Sequence, residues 1–264
     1  MLKVVRSELV RLRRPKLLAG WFGLMALFAL MINQVVFSMS SNPAAPASGP
    51  GVEFPTAAEL AGPGGAVAGL GAAASMFGIV TLAFWAIAVA TDYSSGLIRL
   101  LVSAQPDRWK LLAGKVLALT LVTAVATTVS MLVSLLSAVP AASAAGVPTD
   151  QWGADGVAVL ASAWVNAFAA MIVWGVLGLV LAVVTRSSAI AISIGAGYVL
   201  VFESIVRQSV GDGADWLLGS TLNALAAGGS LALSYATTAT LGAVYVAVGL
   251  VTATVVVTRR DVCD

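Results

Sequence analysis

A row of hydroxyl side chains is the most regular polar pattern in this sequence. The side chains recur every three or four residues, at Thr120, Thr123, Thr127, Ser130, Ser134 and Ser137. That spacing places all of them on one face of a helix. Inside a membrane such a face either lines a polar path for a substrate or hydrogen-bonds to a neighbouring helix. The pattern alone leaves both interpretations open.

Ionisable residues are rarer than hydroxyls in the apolar segments. Glu203 is followed one helical turn later by Arg207, a spacing at which opposite charges pair. We expect a surface ion pair near the outer end of a span, or a role for Glu203 as a gate or substrate contact. Asn166 lies near Trp164 and Trp174, and these three residues either pack between helices or face a substrate.

The residue types that the sequence lacks exclude several kinds of chemistry. It has no histidine and one cysteine, Cys263, so we expect neither an internal disulfide nor a Cys/His metal site. Its one Gly-Lys pair, Gly114-Lys115, has no glycine five residues earlier and no Ser or Thr after it, so it is not a phosphate-binding loop. We predict no catalytic residue, metal or cofactor in this chain, and no nucleic-acid partner.

The elements that carry these residues are apolar segments long enough to cross a membrane. The sequence is 59% hydrophobic and 10% charged, whereas a soluble domain is roughly 25% charged. A spanning helix needs about 20 apolar residues, and six segments reach that length: 17–37, 66–90, 116–139, 157–185, 187–206 and 237–258. We predict an all-α polytopic membrane protein with six transmembrane helices, forming a single transmembrane domain over residues 1–264.

The basic residues alternate from one connection to the next. Of the 14 Lys and Arg residues, all except Arg207 fall in residues 1–16, 99–115, 186 and 259–260. Because Lys and Arg accumulate in cytoplasmic segments, this distribution predicts that both termini lie in the cytoplasm.

Two shorter segments have helical patterns of their own. Residues 2–14 place Leu2, Val5, Leu9 and Leu12 on one face, which predicts an amphipathic helix in the headgroup layer or a simple basic anchor. Residues 207–236 contain an apolar stretch too short to span, which predicts outer-surface helices or a re-entrant pair between spans five and six.

The connection after the second span has the most specific pattern. Around residues 94–104, the helical period puts four apolar side chains on one face and three polar side chains on the other: Leu97, Leu100, Leu101 and Ala104, against Ser95, Arg99 and Ser103. A short amphipathic helix here is either a device that docks into a groove of a soluble partner or an ordinary interfacial loop.

The residues around this helix follow a recognisable order: Asp92-Tyr93, Gly96, Leu97-Ile98-Arg99-Leu100-Leu101, Pro106-Asp107-Arg108 and Gly114-Lys115. This order resembles the inner loop of ABC transporter permeases of the type-2 exporter class. The amphipathic N-terminal helix, the six spans and the short helices before the last span are similar to that family as well. The chain departs from the family at Asp92, where Glu is usual, and at Gly96-Leu97, where Gly-Thr is common.

The resemblance implies that the connection is a coupling helix driven by a separate cytoplasmic ATP-binding cassette subunit, which binds the ATP and magnesium. It implies a dimer with a second permease copy, identical or related, in the bacterial cytoplasmic membrane. The implied ATPase-coupling residues are Gly96, Leu97, Arg99, Leu100, Asp107, Arg108 and Lys115.

The predicted function is therefore a transport subunit that moves an amphipathic or lipid-like substrate across or out of the membrane. Candidate residues for its translocation path are Thr123, Thr127, Ser130, Ser134, Asn166 and Glu203. The alternatives are an ion-coupled secondary transporter or a structural membrane partner without ATP coupling. A secondary transporter usually needs buried ionisable residues or broken helices, and Glu203 is the one candidate that the sequence offers.

Overall fold

The chain is helical over nearly all of the part that the structure describes. The computed structural model describes residues 2–42, 48–49, 52–97, 100–101, 107–153, 156–230 and 232–259. Two strands of two residues each, β1 (Ser48–Gly49) and β2 (Val52–Glu53), pair in an antiparallel hairpin. The helices before the third span are α1 (Leu2–Leu12), α2 (Pro15–Ser40), α3 (Ala57–Ala61), α4 (Ala68–Ala72) and α5 (Ala74–Ser94).

The remaining helices vary from 7 to 38 residues in length, and one of the spans contains an irregular turn. They are α6 (Arg108–Ala145), α7 (Gly156–Thr185), α8 (Ser188–Gly197), α9 (Ser204–Val210), α10 (Leu218–Ala227) and α11 (Tyr235–Arg259). A π-helical turn, Tyr198–Glu203, joins α8 to α9, so these three pieces form one continuous rod over Ser188–Val210.

The prediction of an all-α multi-pass membrane protein is confirmed. The described residues contain six helices that are long and apolar enough to cross a membrane: Pro15–Ser40, Ala74–Ser94, Arg108–Ala145, Gly156–Thr185, Ser188–Val210 and Tyr235–Arg259. Four of them cover the predicted segments completely, and the fifth span begins one residue after its predicted start and ends four residues beyond its predicted end. Most helices extend beyond the predicted ends, because polar residues in the first and last turns do not end a helix.

The start of the second span was predicted wrongly. Residues 66–73 do not belong to it but form a 3₁₀ turn, Gly65–Val67, and the separate helix α4. Glycine is unfavourable inside a helix, and this stretch packs too closely on its neighbours to continue straight. A Cβ atom on Gly69 would overlap the side chain of Asn33 on α2.

The centre of the bundle is the contact between α5 and α7, the most extensive helix pair in the structure. Each helix inserts a buried tryptophan against a glycine of the other: Trp85 lies on Gly175, and Trp174 lies on Gly78. Neither glycine has room for a Cβ atom, so small residues set the close approach of the two helices.

The fifth and sixth spans lie at the edge of this core and are the least buried of the six. The short helix α10 is different, because eight successive residues, from Gly219 to Ala226, are buried. It contacts α4, α5, α7 and α11. A segment between the last two spans is thus part of the packed interior.

Candidate functional site

Helix α1 packs on the first turns of α6 and does not stand apart from the bundle. Leu12 is buried, and Val5 and Leu9 are packed against the core. Val4 lies so close to Gly114 that a Cβ atom on this glycine would overlap its side chain. The apolar face that we assigned to the headgroup layer therefore contacts protein at these positions.

Four charged side chains meet where α1 crosses α5 and α6. Glu8 and Arg11 come from α1, Asp92 from the last turn of α5, and Lys115 from two turns into α6. The Lys115 Nζ atom lies 2.7 Å from Asp92 Oδ2 and 3.0 Å from Glu8 Oε2. Arg11 pairs with Glu8 and lies 3.7 Å from Asp92. We call these four residues the Lys115 cluster.

Charges alternate in the Lys115 cluster, so each carboxylate is shared between two cations. Glu8 is 1% exposed and Asp92 is 6% exposed, which makes their charges costly unless they are paired. Burial lowers the pKa of the Arg11 guanidinium below its ordinary value, and the Asp92 carboxylate opposes this shift. The arrangement is suited to holding three helices together, since removing one partner would leave an uncompensated buried charge.

An open cleft lies beside the Lys115 cluster. Its walls are aliphatic side chains of α5, α6 and α11, among them Val89, Leu112 and Val257, and the buried charges lie at its base. Arg108 also lines the cleft, and its Nη1 atom donates to the carbonyl oxygen of Val257 at 3.3 Å. The last turn of α11 is thus attached to the start of α6.

The predicted coupling residues fall into two groups. Gly96 has a left-handed backbone with φ 68° and is exposed, Leu97 is half-buried, and Leu100 is 67% exposed. Asp107 is exposed and pairs with Lys110. By contrast, Lys115 points into the bundle and belongs to the cluster.

Much of the predicted coupling helix over residues 94–104 lies outside the described residues, and so does Arg99. The structure describes the helices on either side of this connection. Helix α5 ends at Ser94 and α6 begins at Arg108. Asp92 and Lys115 join these two helices close to the ends of the connection.

The hydroxyl row on α6 faces neighbouring helices. Thr123 Oγ1 accepts a hydrogen bond from Trp85 Nε1 at 3.0 Å, and Thr127 lies beside Met171. The hydroxyl of Ser130 is buried and has no partner in the structure. From Thr123 to Ser137 the row is therefore buried within this single chain, whereas Thr120 is half-buried.

The far end of the hydroxyl row meets Asn33 of α2, whose role sequence reasoning missed. Asn33 Nδ2 donates to the Ser134 carbonyl at 2.6 Å, to the Ser134 hydroxyl at 3.2 Å and to the Ser137 hydroxyl at 2.8 Å. The signal was present, because an asparagine within an apolar span needs a polar partner.

Glu203 does not form the predicted surface ion pair with Arg207. It is 3% exposed, and its carboxylate accepts hydrogen bonds from the backbone of Gly219 and Ser220 at the start of α10. Arg207 donates to the Ser220 hydroxyl instead. Helical spacing brought the two residues to the same side, but the nearby helix end offers the carboxylate several donors. Asn166 is buried next to Gly228, beyond the other end of α10.

Glu8 and Arg11 were not recognised as site residues. Glu8 is the one acidic residue among residues 1–16, where it stands three positions before Arg11. A lone acid in a basic segment, at the spacing of a helical ion pair, is the signal that could have identified it.

Residues 26–263 match the model of a protein family described as "Protein of unknown function (DUF2705)". The chain belongs to this family. No curated protein matches the sequence. The DUF2705 match includes Asp92 and Lys115 but begins after α1, so the Lys115 cluster joins residues within the matched region to Glu8 and Arg11 outside it.

Proposed function

We propose that this chain is the transmembrane subunit of an ATP-binding cassette exporter, driven by ATP hydrolysis in a separate cytoplasmic subunit. The observation that carries the proposal is the 2.7 Å ion pair between Asp92 and Lys115, which joins the two helices on either side of the 95–107 connection. A partner that pushes on this connection moves α5 and α6 together. Through Glu8 and Arg11 it moves α1 as well.

The proposed topology places both termini in the cytoplasm, in the cytoplasmic membrane of a bacterium. The exposed cations of α1 and of the residues after it, including Arg6, Arg13 and Arg14, then lie near anionic lipid headgroups. In this arrangement the Lys115 cluster is on the cytoplasmic side and α10 is on the outer side. The distribution of Lys and Arg along the sequence supports this orientation.

The proposed docking surface for the ATP-binding subunit consists of Gly96, Leu97, Arg99, Leu100, Asp107 and Arg108. An exposed leucine such as Leu100, at 67%, supplies apolar area to a partner. A second permease copy, identical or related, completes the transporter. The two least buried spans, Ser188–Val210 and Tyr235–Arg259, provide apolar surface for it.

The proposed cargo is amphipathic or lipid-like. The long helices are apolar, which suits a substrate that enters from the bilayer. Of the candidate path residues, Thr123, Thr127, Ser130, Ser134 and Asn166 are buried polar groups. Because these groups are buried within one chain, they would reach cargo only after the helices separate.

The test is the ATPase activity of a reconstituted complex. The chain is purified with an ATP-binding cassette subunit encoded beside it, and hydrolysis is measured in lipid nanodiscs with and without the chain. Leu100→Asp is expected to abolish the stimulation, because it places a charge in the apolar contact. The matched control is Val157→Asp, which alters an aliphatic side chain that is 84% exposed at the start of α7. The proposal would be contradicted if Leu100→Asp stimulated ATP hydrolysis normally, or if both variants lost the stimulation equally.

One observation favours a second candidate, an ion-coupled carrier. Glu203 is a buried carboxylate at the end of a π-helical turn in the fifth span, and carriers use buried ionisable groups and interrupted helices. Substrate uptake into vesicles driven by a proton or sodium gradient without ATP, and lost in Glu203→Gln, would favour this candidate over the exporter.

A further inference from the structure

The carboxylate of Glu203 caps a helix that begins fifteen residues later in the chain. Its Oε2 atom accepts from Gly219 N at 3.0 Å, and its Oε1 atom accepts from Ser220 N at 2.7 Å. These amides belong to the first turn of α10, where backbone N–H groups lack partners within the helix. The residue at the N-cap is Leu217, whose side chain cannot accept a hydrogen bond. Glu203 therefore performs the capping from another element.

The charge of Glu203 is balanced by dipoles and by a hydrogen-bonded relay. The Ser220 hydroxyl donates to Glu203 Oε1 at 3.1 Å and accepts from Arg207 Nη2. The positive end of the α10 dipole faces the carboxylate. No ion pair with Glu203 is found among the described residues. We call Glu203, Arg207, Gly219 and Ser220 the Glu203 cap.

The rest of α10 receives fewer side-chain hydrogen bonds from other elements than its first turn does. One side-chain hydrogen bond from another element reaches it in the described structure, from Ser75 Oγ to Asn223 Oδ1 at 2.8 Å. The Thr221 hydroxyl is buried without a partner. At its other end the helix stops at Gly228 and Gly229, which have φ values of 86° and 117°. This glycine pair is a joint about which α10 can turn.

The direction in which the Glu203 carboxylate points depends on the π-helical turn, of which Glu203 is the last residue. A π-helix closes its hydrogen bonds over one more residue than an α-helix, and such turns are rare and are found at functional sites. If residues 198–203 adopted the α-helical register, the Glu203 side chain would be carried around the helix axis away from α10. The position of the carboxylate is therefore tied to the hydrogen-bond register of this turn.

We propose that the Glu203 cap is a reversible contact. A change of hydrogen-bond register in the π-helical turn withdraws the carboxylate from α10, and α10 then rotates about the Gly228-Gly229 joint. Freeing α10 would open the space between α4, α5, α7 and α11, which this helix fills. The inference concerns the chain alone and does not depend on an ATP-binding partner.

The test measures access to the buried face of α10. Thr221→Cys is introduced into a Cys263→Ser background, and the purified chain is labelled in detergent with a water-soluble maleimide. Labelling of position 221 is expected to be slow with Glu203 intact and at least roughly tenfold faster with Glu203→Gln, the factor that loss of one hydrogen bond to a charged group implies. Ser220→Ala, which keeps both backbone hydrogen bonds, is expected to give a smaller increase.

Two controls separate release of α10 from general loosening. Glu59→Gln alters an exposed carboxylate that caps its own helix, α3, and is expected to leave labelling of position 221 unchanged. Ser130→Cys reports on α6, where the side chain is fully buried, and is expected to stay protected in every variant. Equal labelling of position 221 with and without Glu203 would overturn the proposal. So would parallel exposure of positions 130 and 221, because the cap would then hold the whole bundle.

Discussion

The Lys115 cluster and the Glu203 cap both bury carboxylates, but they balance the negative charge in different ways. In the cluster, two carboxylates meet two cationic side chains, and three of the four ion pairs join different helices. In the cap, one carboxylate meets backbone amides and a hydroxyl. The difference indicates that the cluster is a permanent junction of three helices, whereas the cap holds one end of one short helix.

The energetic consequence follows from what remains after a single substitution. Removing a cation from the cluster leaves two buried carboxylates with a single cation between them. Removing the charge of Glu203 leaves neutral amides that a glutamine can still partly satisfy. Loss of a cluster cation should therefore cost more than loss of the cap charge.

The largest effect is expected for Lys115→Met. This substitution leaves Glu8 and Asp92 buried with Arg11 as their remaining cation, and it should lower the free energy of unfolding by about 3–5 kcal/mol. Unfolding of the purified protein in mixed micelles measures it. The control is Lys110→Met, which breaks the exposed pair with Asp107 and should cost at most about 1 kcal/mol. Similar losses in the two variants would remove the distinction between a buried junction and a surface pair.

A smaller effect is expected for Glu203→Gln. The variant loses the charge that strengthens the hydrogen bonds from Gly219 and Ser220, so the free energy of unfolding should fall by about 1.5–3 kcal/mol. The same unfolding assay measures it. A loss as large as that of Lys115→Met would show that the cap is also a junction of the whole bundle.

Gly219→Ala tests the geometry of the cap without changing a charge. A Cβ atom at this position would lie 2.5 Å from Glu203 Oε2, so alanine should cost about 1–3 kcal/mol even though it usually favours a helix over glycine. Gly153→Ala is the control, since nothing lies within 4 Å of its Cβ position. A neutral or stabilising Gly219→Ala would mean that the carboxylate is not held against this turn.

The smallest effects are expected in the hydroxyl row, which gives an uncharged reference for both sites. Thr123→Val removes the acceptor of the buried Trp85 Nε1 and should cost about 1–3 kcal/mol. Ser130→Ala removes a hydroxyl that has no partner and should be close to neutral. The same unfolding measurement compares them, and a larger loss for Ser130→Ala would show a hydrogen bond that the structure lacks.

Apolar periodicity and length predicted the spanning helices well, because burying about 20 apolar residues in lipid leaves few alternatives to a helix. The break before Ala74 was missed because it depends on a contact between Gly69 and Asn33, which is far away in the sequence. The short helix at 57–61 agrees with the helical turn that the sequence indicates at residues 56–60, where Thr56 and Glu59 form a local capping box.

The two charged sites were less predictable, for a common reason. Spacing along one helix suggested that Glu203 pairs with Arg207, but the donors it uses belong to α10. Lys115 was predicted as an ATPase-coupling residue, but the structure places it against Glu8 and Asp92, which lie on two other helices. Local patterns identify which side chains need partners, and the tertiary arrangement decides which partners they find.

The most direct test of the junction is a double-mutant cycle between Asp92 and Lys115. The free energies of unfolding of Asp92→Asn, Lys115→Met and the double variant are compared with that of the parent chain. A shared buried pair predicts that the double variant is more stable than the sum of the single losses implies, with a coupling of about 1–3 kcal/mol. Losses that add without coupling would contradict the account, because Asp92 and Lys115 would then not hold α5 and α6 together.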